Sequence, residues 1–449
     1  MTHYAFKHLG LFDAHVPRYT SYPPANHFDT LAPSQSESWL KTVPRSGHIA
    51  IYVHIPYCRR LCWFCADHTH GLMTDRPLRR YLDHILAELA LIAGHLPPDV
   101  RVASVHLGGG TPTILSAEML SELGQALRDF RPFTRTARIS VEIDPAALDD
   151  ARLDALAQIG MNRAAIGVQG FDPRVQTVTG RVQPFAVTRK AVAGLRARGV
   201  GCVTMDVLYG LPYQTPDSMA QTIEKVMDIR PDRLALFGHG HAPLRSRRQV
   251  MIEDAALPNP QARLALFEAA RRQLLDGGYH PVGIDHFCLP GDSLAFAAEI
   301  GSLRRNFQGY TEENADALIG IGASSISRFA QGYAQNVAAI SDYGAHVAAG
   351  RLPTARGHRF TSDDLLRGAM IEELLCNFSV DIATHARRFD RPIEAVEAIV
   401  LPLLSTFHAH LVKDGSRIEL IGPARHLARM AAQTMDAYVA PEGRHSRAI

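Results

Sequence analysis

The sequence contains no long apolar run; nowhere does it approach the roughly 18 consecutive apolar residues that a membrane-spanning helix requires. Its first stretch, Met1 to Val16, lacks the apolar centre of a secretory signal. These two absences make a cytoplasmic protein with no membrane partner the expectation. Charge of either sign is not in surplus: 47 Lys and Arg stand against 45 Asp and Glu, a formal net charge of +2. Without a basic excess or a basic run, nucleic acid is not an expected partner, although a local pocket for a polyanionic small molecule stays open. Cysteine is scarce, with six in 449 residues, too few for a disulfide scaffold. Low-complexity tracts and internal repeats are missing too. With 46% apolar residues, the chain still has enough material for a substantial core.

What is present falls into three parts. Residues 1–46 are rich in Pro, Ser, Thr and aromatics, as in Val16-Pro17-Arg18-Tyr19-Thr20-Ser21-Tyr22-Pro23-Pro24, and show no long period. They read as an extended N-terminal arm. From His48 onward, short β-branched runs alternate with amphipathic patterns. Strands are predicted at Ile49–Ile55, Val102–Leu107, Ile139–Ile143, Ala164–Val168, Cys202–Leu208 and Leu234–Phe237, and helices near Leu78–His95, Ala117–Phe130, Leu148–Ile159, Pro184–Arg198 and Ser218–Ile229. Six such repeats predict an α/β fold with a parallel sheet, an incomplete (β/α)6 barrel that with its extension occupies residues 47–350, with a doubly wound open sheet as the alternative. Functional groups are then expected at the carboxyl ends of the strands. Residues 351–449 read as a small, mostly helical C-terminal domain, and the whole as a monomer.

The cysteines are unevenly placed. Cys202, Cys288 and Cys376 are scattered, whereas Cys58, Cys62 and Cys65 follow the first predicted strand on one loop. Three thiolates on one loop can hold three irons of a cubane cluster and leave the fourth open to another ligand. A tetrahedral zinc ion completed by Asp67, His68 or His70 is the competing reading. Zinc usually draws on two separated pairs, however, and no second Cys-x-x-Cys exists in the chain.

The Cys-x3-Cys-x2-Cys spacing resembles that of the radical S-adenosylmethionine (radical SAM) superfamily. More closely, the chain resembles the oxygen-independent coproporphyrinogen III oxidase family over nearly its whole length. The likeness is carried by Pro17-Arg18-Tyr19-Thr20-Ser21-Tyr22-Pro23, Tyr52-Val53-His54-Ile55-Pro56 and Gly108-Gly109-Gly110-Thr111-Pro112-Thr113. It continues through Gly167-Val168-Gln169, Asp206-Val207-Leu208-Tyr209-Gly210-Leu211-Pro212 and Arg305-Asn306-Phe307-Gln308-Gly309-Tyr310-Thr311.

The resemblance implies a radical SAM barrel with a [4Fe–4S] cluster on Cys58, Cys62 and Cys65. It also implies two molecules of S-adenosyl-L-methionine: one meeting Tyr52, Gly109, Gly110, Thr111, Glu142 and Ile326, and a second meeting Phe64, Gln169, Arg181, Asp206 and the backbone of Gly240. The implied substrate is a porphyrinogen, and the implied electron source is a flavodoxin or ferredoxin. In the implied mechanism a 5′-deoxyadenosyl radical takes a hydrogen atom from a propionate, and loss of carbon dioxide leaves a vinyl group. Arg18, Arg304 and Arg305 are candidate partners for propionates, because guanidinium groups offer paired planar donors to carboxylates.

Two segments depart from the family pattern. Asp67 stands where the family usually carries a further cysteine, and Gly238-His239-Gly240-His241-Ala242-Pro243 replaces an aromatic-Ala-His stretch. The competing functions are a radical SAM paralogue that methylates heme or another porphyrin, and a heme-binding chaperone.

Overall fold

The structure, a computed structural model, describes residues 3–67, 69–243, 246–438 and 447–449. Six parallel strands form its centre: β1 (His48–Ile55), β2 (Arg101–Gly109), β3 (Phe133–Ile143), β4 (Arg163–Gln169), β5 (Cys202–Tyr209) and β6 (Arg233–Gly238). Each neighbours the next in chain order. The crossovers run through α1 (Arg76–His95), α2 (Ala117–Phe130), α3 (Asp150–Ile159), α4 (Phe185–Ala197) and α5 (Pro216–Ile229). Local chemistry sets where these helices begin. Ser116 and Asp149 cap α2 and α3 by accepting backbone N–H bonds, and Thr215 with Ser218 forms a capping box at α5.

Strand alternation separates the residues into two sets. In β4, Ala164, Ile166 and Val168 are buried, whereas Arg163, Ala165, Gly167 and Gln169 are only half-buried. In β5, Val203, Met205 and Val207 are buried against half-buried Cys202, Thr204, Asp206 and Leu208. The first set packs under the helices. The second faces the concave side, so polar side chains there open onto a cavity rather than into a core.

The sheet does not close. Ala317–Ile321 adds a seventh parallel strand beside β1. Antiparallel Ile326–Phe329, Gly332–Asn336, Thr354–Arg359 and Asp29–Thr30 extend that edge. Beyond β6 lie His286–Cys288 and His280–Val282. The barrel is therefore incomplete, with different strands at its two edges.

Two expectations need correction. The arm is not extended throughout, since Pro33–Lys41 is a helix that buries Trp39 and Leu40, and Asp29–Thr30 joins the large sheet. Only two large apolar residues mark that helix, too few to show a period. The expected boundary at 350/351 also falls early. Thr354–Arg359 belongs to the large sheet, and helices Ser362–Asn377, Ile382–Arg388 and Ile393–Phe407 with a three-stranded sheet follow it. One continuous core runs through arm, barrel and terminal segment. Among the described residues, no helix is long and apolar enough to cross a membrane.

The amino end of the concave face is filled by charge. Arg138, Arg163 and Arg233 on β3, β4 and β6 surround Glu312 at 2.7, 2.6 and 3.8 Å. Asp292 pairs with Arg233 at 2.9 Å and Glu313 with Arg138 at 3.3 Å. Burial opposes ionisation of Glu312, but Arg163, Arg233 and Arg138 outweigh it and hold the carboxyl well below the usual range.

Candidate active site

The cysteine loop leaves β1 at its carboxyl end. Tyr57–Cys58 pairs with His70–Gly71, so both ends of the loop are tied to each other. A segment after β6 holds its middle. Arg248 donates to the Thr69 hydroxyl (2.9 Å), the Thr69 carbonyl (2.8 Å) and the Asp67 carbonyl (3.2 Å). Gln249 Nε2 donates to the Phe64 carbonyl and Ser246 Oγ to the Cys65 carbonyl.

The three thiols face a cavity of about 230 Å³. Its wall also includes Phe64, Gly109, Gly110, Thr111, Glu142, Gln169, Arg181 and Asp206, with Arg60, Asp67, Asp144 and Arg248 on the same wall. Thr111 Oγ1 lies 3.4 Å from Cys58 Sγ, Arg181 Nη1 lies 3.4 Å from Cys62 Sγ, and Cys65 Sγ lies 3.5 Å from an Asp67 carboxylate oxygen. Burial pushes the Cys58 thiol up, and burial with the Asp67 charge pushes Cys65 up to about 12.

Gly110 passes close against the Cys58 thiol, with Gly109 against His54. A side chain on Gly110 would begin 2.7 Å from the Tyr57 carbonyl and 3.0 Å from Cys58 Sγ. One on Gly109, whose φ is +111°, would begin 2.6 Å from the His54 ring. Only glycine leaves the cavity open here. Gln169 Oε1 and Arg181 Nε are buried without hydrogen-bond partners, although Arg181 Nη2 reaches the Gly167 carbonyl at 2.8 Å. Burial, and then the charge of Glu142, push the Asp206 carboxyl up to about 7 against the pull of Arg181.

This donor set fits a cubane cluster and S-adenosylmethionine. Among the described residues, no three His, Cys, Asp or Glu side chains converge on a point that could hold one metal ion. A cubane takes each thiolate on a different iron and needs no such single point. The orphaned acceptor and donor on Gln169 and Arg181 suit a zwitterionic amino acid cofactor.

Three sequence-predicted residues lie outside the cavity wall. The Gly240 carbonyl accepts from Gln249, the same side chain that holds the Phe64 carbonyl. Tyr52 pairs in register with Gly320, whose backbone packs on Ile326, so these two lie on the strands to either side of Gly320. Sequence reasoning missed His106. Its Nε2 lies 3.1 Å from Glu142 Oε1, while the Gly109 N–H donates to Glu142 Oε2 at 3.0 Å. The His106 ring stacks on Tyr52 with centroids 5.7 Å apart, and the Tyr52 hydroxyl meets His54 Nδ1 at 3.0 Å. The available signal was the alternation of His106 with Gly108 on β2, the same signal that marks Glu142 on β3.

The radical SAM superfamily matches residues 52–226. The chain is 47% identical over 445 residues to an oxygen-independent coproporphyrinogen III oxidase of Paracoccus denitrificans, covering 98% of each chain. It is 46% identical to one of Cereibacter sphaeroides, covering 97% of this chain and 98% of the relative. The solved structure of coproporphyrinogen III oxidase (HemN) from Escherichia coli superposes with a TM-score of 0.90 at 33% identity, covering 95% of this chain and all of that one. With cysteine loop, glycine turn and polar concave face in one cavity, and this likeness running through arm, barrel and terminal segment, the chain belongs to the oxygen-independent coproporphyrinogen III oxidase family of the radical SAM superfamily.

Proposed function

We propose that the protein converts coproporphyrinogen III to protoporphyrinogen IX without oxygen, by oxidative decarboxylation of two propionates to vinyl groups in heme biosynthesis. Each propionate loses a hydrogen atom, carbon dioxide and one electron. Cys58, Cys62 and Cys65 would hold the cluster, which would supply the electron for reductive cleavage of S-adenosylmethionine, the source of the hydrogen-abstracting group. Glu142, fixed by His106 and Gly109, presents a carboxylate to the first cofactor. Gln169, Arg181 and Asp206 offer an acceptor, a donor and a carboxyl near its midpoint at neutral pH to a second. On this reading the enzyme works in the cytoplasm as a monomer and takes its electrons from a flavodoxin or ferredoxin.

The observation that carries this reading is a linked pair of arginines, Arg18 and Arg305, without an ion-paired carboxylate among the described residues. Arg304 is already paired with Glu372 at 3.4 Å. Arg305 instead lies over the Tyr310 ring, donates from Nη2 to the Arg18 carbonyl at 3.3 Å, and leaves Nε and Nη1 buried without partners. Arg18 donates to the Gly238 carbonyl at the end of β6, and its charge reaches Asp67 on the cavity wall. Asp285, a carboxylate on which both charges act, is bonded to His286 at 2.7 Å. Arg305 also lines a separate cavity of about 190 Å³, walled by Tyr19 to Tyr22 of the arm and by helix Ser362–Asn377. Two guanidinium groups without an ion-paired carboxylate among the described residues suit a substrate carrying several carboxylates.

Anaerobic incubation with coproporphyrinogen III, S-adenosylmethionine and reductant should yield protoporphyrinogen IX. Cleavage of the cofactor without consumption of that substrate would replace this reading with the porphyrin-modifying paralogue. Arg305→Gln and Arg18→Gln should each raise the KM for coproporphyrinogen III about tenfold or more while S-adenosylmethionine binding holds. His106→Phe should do the reverse, weakening S-adenosylmethionine about tenfold in equilibrium dialysis at unchanged iron content. Unaltered affinity in that variant would show that Glu142 needs no orientation by His106.

A further inference from the structure

We propose that the rim of the cysteine loop is the docking surface for a small acidic protein that delivers single electrons. This rests on the reading of that loop as the cluster site. Three chain segments surround the loop and are hydrogen-bonded to it. The Leu72 N–H donates to the Cys58 carbonyl, Arg60 Nη1 donates to the Val182 carbonyl at 3.1 Å, and Arg248 and Gln249 hold Thr69 and Phe64. Each segment leaves large apolar side chains in solvent: Met73 is 92% exposed, Val182 53%, Val250 69% and Met251 59%. Such residues are ordinarily scattered, and their grouping around one loop marks an interaction surface.

The charges on the same rim specify the partner. Arg59 pairs with Asp75. Exposed Arg60, Arg76 and Arg247 have no carboxylate partner among the described residues. An apolar centre edged by unpaired arginines complements an acidic protein, with the apolar contacts giving affinity and the charges steering encounter. The apolar residues come from three separate segments rather than from one face of an amphipathic helix, which favours a protein over a lipid surface. Electron transfer falls steeply with distance, so a donor must dock where the thiols approach solvent, and Cys58 and Cys65 are only half-buried. In the transfer, the donor is oxidised by one electron and the cluster passes from the 2+ to the 1+ state; no bond on the enzyme is made or broken.

The test compares two reductants on the reconstituted full-length enzyme. A flavodoxin kept reduced by NADPH and its reductase, and in parallel a [2Fe–2S] ferredoxin, serve as protein donors; sodium dithionite serves as the small one. Val250→Glu with Met251→Glu, and separately Arg247→Glu, should lower kcat/KM for the protein donor at least about tenfold. Dithionite-supported turnover and iron content should stay at the wild-type level. Wild-type turnover with the protein donor should fall with added salt, and the Arg247→Glu variant should lose much of that dependence. Equal losses with dithionite would overturn the proposal, as would unchanged turnover with both protein donors or failure of both donors on an enzyme that dithionite activates. Binding to phosphatidylglycerol vesicles that the variants lose, with donor kinetics unchanged, would reassign the surface to a membrane. An enzyme inactive even with dithionite would instead defeat the cluster reading itself.

Discussion

Cys58→Ala, Cys62→Ala and Cys65→Ala are each expected to emerge from anaerobic reconstitution without a stable cluster and without measurable decarboxylation. Iron should drop from about four per chain to near the background of unspecific binding. Cys202→Ala, Cys288→Ala and Cys376→Ala should retain full iron and most activity. The surroundings of the six thiols explain the division. Cys58, Cys62 and Cys65 share one cavity and meet Thr111, Arg181 and Asp67 there. Cys288 and Cys376 are packed in a small satellite core with Leu294, Leu303 and Tyr310, where burial pushes both thiols far up. They behave as small apolar residues. Cys202 lies on the concave face but at its opposite end, 3.9 Å from Asp292. Iron analysis with the electron paramagnetic resonance spectrum of the reduced protein decides the matter; loss of cluster on replacing any of the outer three would overturn the ligand assignment.

Glu312→Gln should be the most destabilising of the conservative substitutions on the concave face, costing about 3–5 kcal/mol in equilibrium denaturation. The cost comes from what is left behind. Arg138, Arg163 and Arg233 would lose their shared carboxylate, and Arg233 itself is only 8% exposed. The pH dependence has a definite sign. Glu312 is held below the usual carboxylate range in the folded protein, so its contribution is complete above the unfolded pKa and is lost as pH falls through the folded one. Wild type should therefore lose stability on acidification below the ordinary carboxylate range, and the Gln variant should lose less over the same interval. A variant as stable as wild type at neutral pH would show that the network is electrostatically idle.

The barrel was legible because its strands and helices are long and strongly patterned. Ala117–Phe130 is a helix over the predicted residues, and all six central strands lie where β-branched runs were read. Short antiparallel strands such as Ile326–Phe329 were not, because four residues carry no period and their pairing is decided by partners far along the chain. The cavity residues on strands and glycine turns were read from type, spacing and resemblance, and His106 could have been read from its alternation, whereas Arg248 required the third dimension, because it reaches Thr69 from 179 residues away. Asp67 shows the difference most clearly. Arg59, Arg60 and His68 are its neighbours in sequence, but Arg59 is taken by Asp75, Arg60 turns to the Val182 carbonyl, and His68 lies outside the described residues. The cations that act on Asp67 are Arg248 and Arg18, the latter arriving from the arm.

The alternation along β4 and β5 has a consequence for how such a protein can vary. Each strand carries two interleaved texts, one read by the helices and one by whatever occupies the cavity. Ala164, Ile166 and Val168 are constrained by volume, so that changes there register as melting temperature. Ala165, Gly167 and Gln169, one position away each time, are constrained by chemistry, and changes there register as altered ligand choice. Substrate preference can therefore drift, or be redesigned, by rewriting every second residue of the carboxyl half of these strands, while the buried set and the charge network at the amino end stay untouched.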